Sequence, residues 1–494
     1  MTSRSASRRA RRCAAAAALA AWACAVGPNY RRPDLSLPAD YRGALAPEGA
    51  ASLANRPWWD LYRDPALVAL VDRALQENLD VKVAAARVEQ ARAAVLLARA
   101  PIFPAVDAIA LGLRQSSGGA PTPGASAGAA GAAAAAASAS GATQFWEAGV
   151  AASWELDVWG KYRRATEAAR AQLLASEMGR RAAVTSVVAD VARAWIQLSA
   201  LTEALQITRD SIASAEQSLA LVRRLAAGGV QSEAEVRQAE LQLLTFQVQL
   251  PSLERQRLQL EDALSVLLGR PPEGVPTPSG SPDLVPGPEI PAGLPSELLE
   301  RRPDVAAAEQ ALVAANADVG VARAAFFPSI SLTGLFGVVS GTLGDLLSRG
   351  RLGDEVTGSL SLPLFAGGAN VANERIARAR AKEAALEYRS TVLGALRDVA
   401  DALAEAGKRR EEVEGQRRRV TASKDAFGLV TERFQAGVAS YLDVLDAQRS
   451  LYAARIDLSS AYAARQLGVV RLYQALGGGW TPRPGPAATA ARAP

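Results

Sequence analysis

No histidine occurs anywhere in the 494 residues, and there are only two cysteines, Cys13 and Cys24. The first absence excludes an imidazole base, a Ser-His-Asp triad and any His-ligated zinc. Without a histidine to activate a serine, an envelope hydrolase is a poor reading of the chain. Charge of one sign is in short supply: 55 Lys and Arg face 50 Asp and Glu, a net charge of +5. That excess is small for the length and argues against a dedicated nucleic-acid binder, whose basic residues gather on one patch. Beyond the first 24 residues no run approaches the ~20 apolar residues of a transmembrane helix. What remains, 49% apolar and 21% charged, is a structured chain with a large interior. Its length corresponds to about three domains. No metal, cofactor or catalytic set is expected, and the composition points to an assembly or conduit.

The amino terminus reads as an export leader. Arg4, Arg8, Arg9, Arg11 and Arg12 precede the apolar run CAAAAALAAWA at 13–23, which Cys24 follows. The run is too short to span a bilayer. Small residues ahead of Cys24 fit cleavage by the lipoprotein route. The signal peptide would be 1–23, and Cys24 the lipid-modified start of the mature chain, bearing S-diacylglycerol and an N-acyl chain such as palmitate. Ala21 stands where such signals carry Leu, and an ordinary signal peptide with an incidental cysteine is the alternative. Cys13 leaves with the leader, so the mature chain has one thiol and no internal disulfide. Residues 24–66 form the lipidated amino-terminal segment and an equatorial region.

The sequence repeats itself. LARAPIFPAV at 97–106 aligns with VARAAFFPSI at 321–330, an offset of 224. ADVARA at 189–194 aligns with RDVADA at 397–402, GGVQSEAEV at 228–236 with AGVASYLDV at 436–444, and Leu268-Gly269 with Leu476-Gly477, all at an offset of 208. The difference is a longer loop in the first copy, within the Ala/Gly/Ser-rich stretch 116–142. Between the copies, residues 271–295 hold nine prolines. The chain therefore divides into a first repeat at 67–270, a Pro-rich linker at 271–296, a second repeat at 297–478 and a tail at 479–494.

Each repeat reads as helix, strand, loop, strand, very long helix, turn, helix. The stretch from about 160 to 226 is proline-free and carries Val184, Val187, Val188, Val191 and Trp195 at helical spacing. Its copy runs from about 370 to 435. About 66 helical residues reach roughly 100 Å, more than a globule needs. Helices returning near 231–268 and 440–477 imply antiparallel, coiled-coil-like hairpins, and shorter helices near 67–99 and 297–325 extend the packing. Strands are expected near 105–114, 145–156, 329–339 and 356–364, three of them with clean alternation. Trp146, Ala148, Val150, Ala152 and Trp154 oppose Glu147, Ser153 and Glu155. Such strands suit a membrane barrel or a half-buried soluble sheet. Four strands cannot close a barrel, and an open edge is not tolerated in lipid. If they span a membrane, several chains share one barrel, and twelve strands from three chains leave a wider lumen than eight from two.

WELDVWGKYRRATEAARA at 154–171, RPDVAAAEQALVAANADVGVARAAFFPSISLTG at 302–334, LPLFAGG at 362–368 and FQAGVASYLDVLDAQRSL at 434–451 closely resemble the TolC-like outer-membrane efflux factors. GPNYRRP after Cys24 is similar to the mature start of their OprM- and NodT-like lipoprotein branch. The resemblance covers nearly the whole mature chain. It implies an α+β membrane protein with internal duplication: a homotrimer whose 12-stranded β-barrel, four strands per chain, lies in outer-membrane lipid. A long periplasmic α-helical coiled-coil barrel continues it. It further implies an outer-membrane channel of a tripartite efflux pump, coupled through a periplasmic adaptor to an inner-membrane pump of the resistance-nodulation-division type. A lipid-anchored structural coiled-coil protein without transport, and a similar conduit for protein secretion or metal export, remain the alternatives.

A conduit places its working residues at a gate and at docking tips. The turns at 228–232 and 436–440 supply Gly228, Gly229, Val230, Gly437 and Val438 as adaptor-docking tips. Ser232 with Glu235, and Ser440 with Asp443, have capping-box spacing. In the family, positions matching Leu442, Asp443, Asp446 and Arg449 form or support the periplasmic constriction. Asp443 has a capping role as its alternative. Asp446 stands opposite Gln238 of the first copy, so the duplicated scaffold does not itself require an acid there. The plain alternative is a solvated face with an intrahelical Asp446–Arg449 pair. An Arg that relatives carry just after the turn is Ala439 here.

Overall fold

Glycine and proline punctuate the chain where its elements end, and the computed structural model follows that punctuation. It describes residues 25–41 apart from 36 and 39, 57–115 apart from 63, 143–278 apart from 277, and 298–480 apart from 347 and 349. Residues 1–24, 42–56, 116–142, 279–297 and 481–494 lie outside the described residues, and with them the expected export leader, Cys24 and most of the expected linker. In chain order the elements are α1 (Pro65–Glu77), α2 (Leu79–Arg99), β1 (Ala105–Gln115), β2 (Thr143–Glu155), α3 (Lys161–Ala227), α4 (Glu233–Leu267), α5 (Pro303–Ala324), β3 (Ser329–Ser340), β4 (Arg351–Ser361), α6 (Ala369–Gln435) and α7 (Tyr441–Ala475). No helix among the described residues is long and apolar enough to cross a membrane. The chain forms two compact units. One comprises Met1–Pro33, Glu89–Leu174 and Gln310–Leu386, and the other Asp34–Val88, Ala175–Glu309 and Glu387–Pro494.

The first unit holds a four-stranded sheet in the order β1-β2-β3-β4, every pair antiparallel. Even-numbered residues pair with even-numbered ones: Val150 with Phe336, Trp154 with Leu332, Ile330 with Leu360. Because successive side chains point to opposite faces, this register puts the apolar positions of β2, β3 and β4 on one face, interrupted at Asp354 opposite Phe336. Val106, Ala108 and Ala110 of β1 share it. Ile109, Leu111 and Leu113 instead lie on the polar face, where Leu111 sits opposite Glu147. Alternation alone could not assign that strand; its register does.

The last strand differs from the expected 356–364. It spans Arg351–Ser361, because β3 begins at Ser329 and Ser329 pairs with Ser361, so the LPLF segment has no partner. Its first residues, RLGDE, carry too much charge and glycine to read as a strand. Below the sheet, Trp159 stacks on Phe327 with centroids 4.8 Å apart and donates from Nε1 to the Pro328 carbonyl at 2.7 Å. Ala168 and Ala171 of α3 pack on Ala314 and Ala317 of α5, where small side chains permit close helix approach.

The second unit is helical. Asp64 caps α1, accepting from the Ala66 amide at 2.8 Å and from Trp195 Nε1 at 2.8 Å. The expected single helix over 67–99 is two helices, broken at Asn78. The Asn78 Oδ1 accepts from the amides of Asp80 and Val81, and its Nδ2 donates to the Leu267 carbonyl at 2.9 Å. One side chain thus serves a helix start and a helix end that lack partners of their own. Pro251 sits inside α4 on an exposed face, where its missing amide leaves no buried acceptor stranded.

Candidate functional site

Two helical turns, α3 to α4 and α6 to α7, are built alike. Each long helix ends with a glycine at positive φ, Gly229 at 74° and Gly437 at 75°. The Val230 amide donates to the Leu225 carbonyl at 2.9 Å and that of Gly229 to Ala226 at 3.0 Å. Val438 and Gly437 repeat the pattern on Arg433 and Phe434, both at 2.9 Å. This paired closure satisfies carbonyls that a helix end otherwise leaves open. Gly228 corresponds to Ala436 and has no positive φ, so of the two adjacent glycines only Gly229 meets a backbone demand. Val230 and Val438 project from the tips, about two-thirds exposed or more (70% and 66%).

The returning helices start with capping boxes. The Ser232 amide donates to Glu235 Oε2 at 2.7 Å, and the Ser440 amide to Asp443 Oδ2 at 3.0 Å. The Ser440 hydroxyl also donates to that carboxylate at 2.8 Å. These two bonds, with Arg433 nearby, hold the Asp443 carboxyl below its ordinary range. Behind the caps, Leu219, Val222, Val236, Ala239, Phe434, Tyr441, Val444 and Leu445 form one buried cluster. Both turns are therefore held by a common apolar core inside the helical unit.

Leu442, Asp443 and Asp446 stand on the exposed side of α7, with Leu442 58% exposed. The intrahelical Asp446–Arg449 pair of the alternative reading is not formed. Arg449 instead donates from Nε to Gln242 Oε1 on α4. Asp446 makes no hydrogen bond or ion pair within its own chain among the described residues, and it borders an open groove between α6 and α7 with Arg419, Ser423, Asp443 and Ser450. Arg419 is itself paired to Asp457. Gln242 was missed in the sequence. Its signal was a polar residue at a stripe position, three after Ala239 and four before Phe246, where burial is required. Its counterpart in the second copy is Ser450. Among the described residues no cluster of three or more potential metal ligands exists.

The family model for outer membrane efflux proteins matches residues 70–270 and 294–478. The outer membrane protein OprJ of Pseudomonas aeruginosa is 36% identical over 467 residues, 94% of each chain. The cation efflux system protein CusC of Escherichia coli is 32% identical over 467 residues, covering 94% of this chain and 97% of that one. Among solved structures, the open state of the Neisseria gonorrhoeae MtrE outer membrane channel superposes with a TM-score of 0.82 at 33% identity, covering 92% of this chain and 99% of that one.

Proposed function

The chain belongs to the outer membrane efflux protein family, and from that membership we propose a passive threefold conduit opened from its periplasmic end. It is an outer-membrane channel subunit of a tripartite efflux system, with an adaptor and an inner-membrane pump as partners. The observation that carries the threefold reading is the sheet. Its two outer strands, β1 and β4, each have one unpaired edge among the described residues, and one face is mostly apolar, interrupted at Asp354 of β4. An open edge cannot rest in lipid, so pairing β1 of one copy with β4 of the next removes it. Three copies give twelve strands and a water-filled lumen lined by the polar face.

In this reading Cys24 carries the lipid anchor. Gly228, Gly229, Val230, Gly437 and Val438 form the adaptor-docking tips, and the pump is of the resistance-nodulation-division type. Leu442, Asp443, Asp446 and Arg449 form or support the constriction. Three Asp446 carboxylates brought toward one axis repel one another, so a modest helix shift imposed by the adaptor suffices to open the passage. Selection of the exported compound rests with the pump. Purified protein is expected to run as heat-modifiable trimers and to conduct ions in planar bilayers, with Asp446→Ala raising the closed-state conductance. Monomers without conductance would overturn the conduit, and unchanged closed-state conductance in Asp446→Ala would overturn the gate assignment.

A further inference from the structure

Gln242 is 1% exposed, and its two amide atoms have different fates. The Oε1 accepts from Arg449, while the Nε2 is buried with no partner. A buried donor without an acceptor is destabilising, and an apolar residue of the same shape would avoid it. The position lies in the stripe that otherwise carries Val236, Ala239 and Phe246. A glutamine here is thus retained at a cost in stability for its oxygen, and that oxygen has one partner, Arg449.

Arg449 sits three residues from Asp446, close enough on one helix for a salt bridge. The bridge is absent because the guanidinium is drawn across to α4. We propose that Gln242 is a positioning residue of the gate: it holds Arg449 on α4 and so leaves the Asp446 carboxylate uncompensated. The inference rests on the gate reading above and deepens it. An Asp446 ring not paired to Arg449 presents negative charge at the constriction, which favours cations and maintains the mutual repulsion that opening relieves. Were Arg449 free to swing back, each carboxylate would be neutralised within its own helix.

The test uses intact trimers in planar bilayers under a potassium chloride gradient, reading the reversal potential. Gln242→Met removes the acceptor and the orphaned donor together, so trimer yield should hold. Its preference for potassium over chloride is expected to fall by roughly two- to fivefold, the size of a coupling between neighbouring charged side chains. Gln242→Glu, which keeps an acceptor for Arg449, is expected to retain the native preference. Asp446→Asn is expected to lose it, and adding Gln242→Met to that variant should change nothing further. A merely structural role for Gln242 would not vanish when Asp446 is removed. Native selectivity in Gln242→Met, or an equal drop in the Asp446→Asn background, overturns the inference while leaving the conduit intact. A native trimer that conducts nothing overturns the conduit and this inference with it.

Discussion

At Gly229, Gly269 and Gly437 the backbone takes positive φ at a helix end, yet the three positions do not tolerate a side chain equally. A Cβ on Gly437 meets nothing within 4 Å, whereas one on Gly269 would lie 2.4 Å from the Glu77 carbonyl oxygen. Gly437→Ala therefore costs the left-handed conformation alone, about 1–2 kcal/mol. Gly269→Ala adds a backbone clash and must displace α1. The temperature at which trimers dissociate is expected to fall more for Gly269→Ala, and equal shifts would contradict the contact. The capping boxes at Ser232 and Ser440 were legible because they are local: three residues of spacing and two residue types determine them. The Arg449 partner was not legible, because Gln242 lies 207 residues away and only the packing of α4 on α7 brings the two together.

At the scale of elements, the long helices were readable from the absence of proline and from stripes such as Val187, Val191 and Trp195, all of which are buried. Two boundaries were not. Asn78 splits what periodicity joins, because its side chain finds three backbone partners that no single-helix pattern reveals. Strand β4 begins at Arg351 because β3 offers a ladder to pair with, which outweighs the poor strand propensity of RLGDE. The faces of that strand yield a prediction. Val356 is 80% exposed on the apolar face, and Thr357 lies on the polar one. Val356→Arg is expected to cost about 2–4 kcal/mol near the bilayer midplane and to reduce the yield of heat-modifiable trimers. Thr357→Arg should assemble normally. Equal loss in both variants would contradict a lipid-facing even side.

At the scale of the whole molecule, the proposed function rests on assembly. The described residues hold no group of three or more potential metal ligands, and the chain matches the outer membrane efflux protein model over residues 70–270 and 294–478. In the proposed reading anchoring belongs to this scale, because an acylated Cys24 would add to what the strands secure. Native protein expressed with labelled palmitate is expected to carry label, and Cys24→Ser to carry none while still forming trimers. Native protein without label, or label undiminished in Cys24→Ser, would rule out lipidation at that residue.

The sequence by itself determined the duplication, the long helices, the glycine turns and the family, because repeats, periodicity and caps are written in near-neighbour residues. Only the tertiary structure decided which face of β1 looks where, where β4 starts, how Asn78 divides the first helix, and that Arg449 turns to Gln242 and away from Asp446. Each of these depends on a hydrogen bond or strand pairing between residues remote in the chain. Local pattern leaves several near-equal choices, and the partner's position selects one.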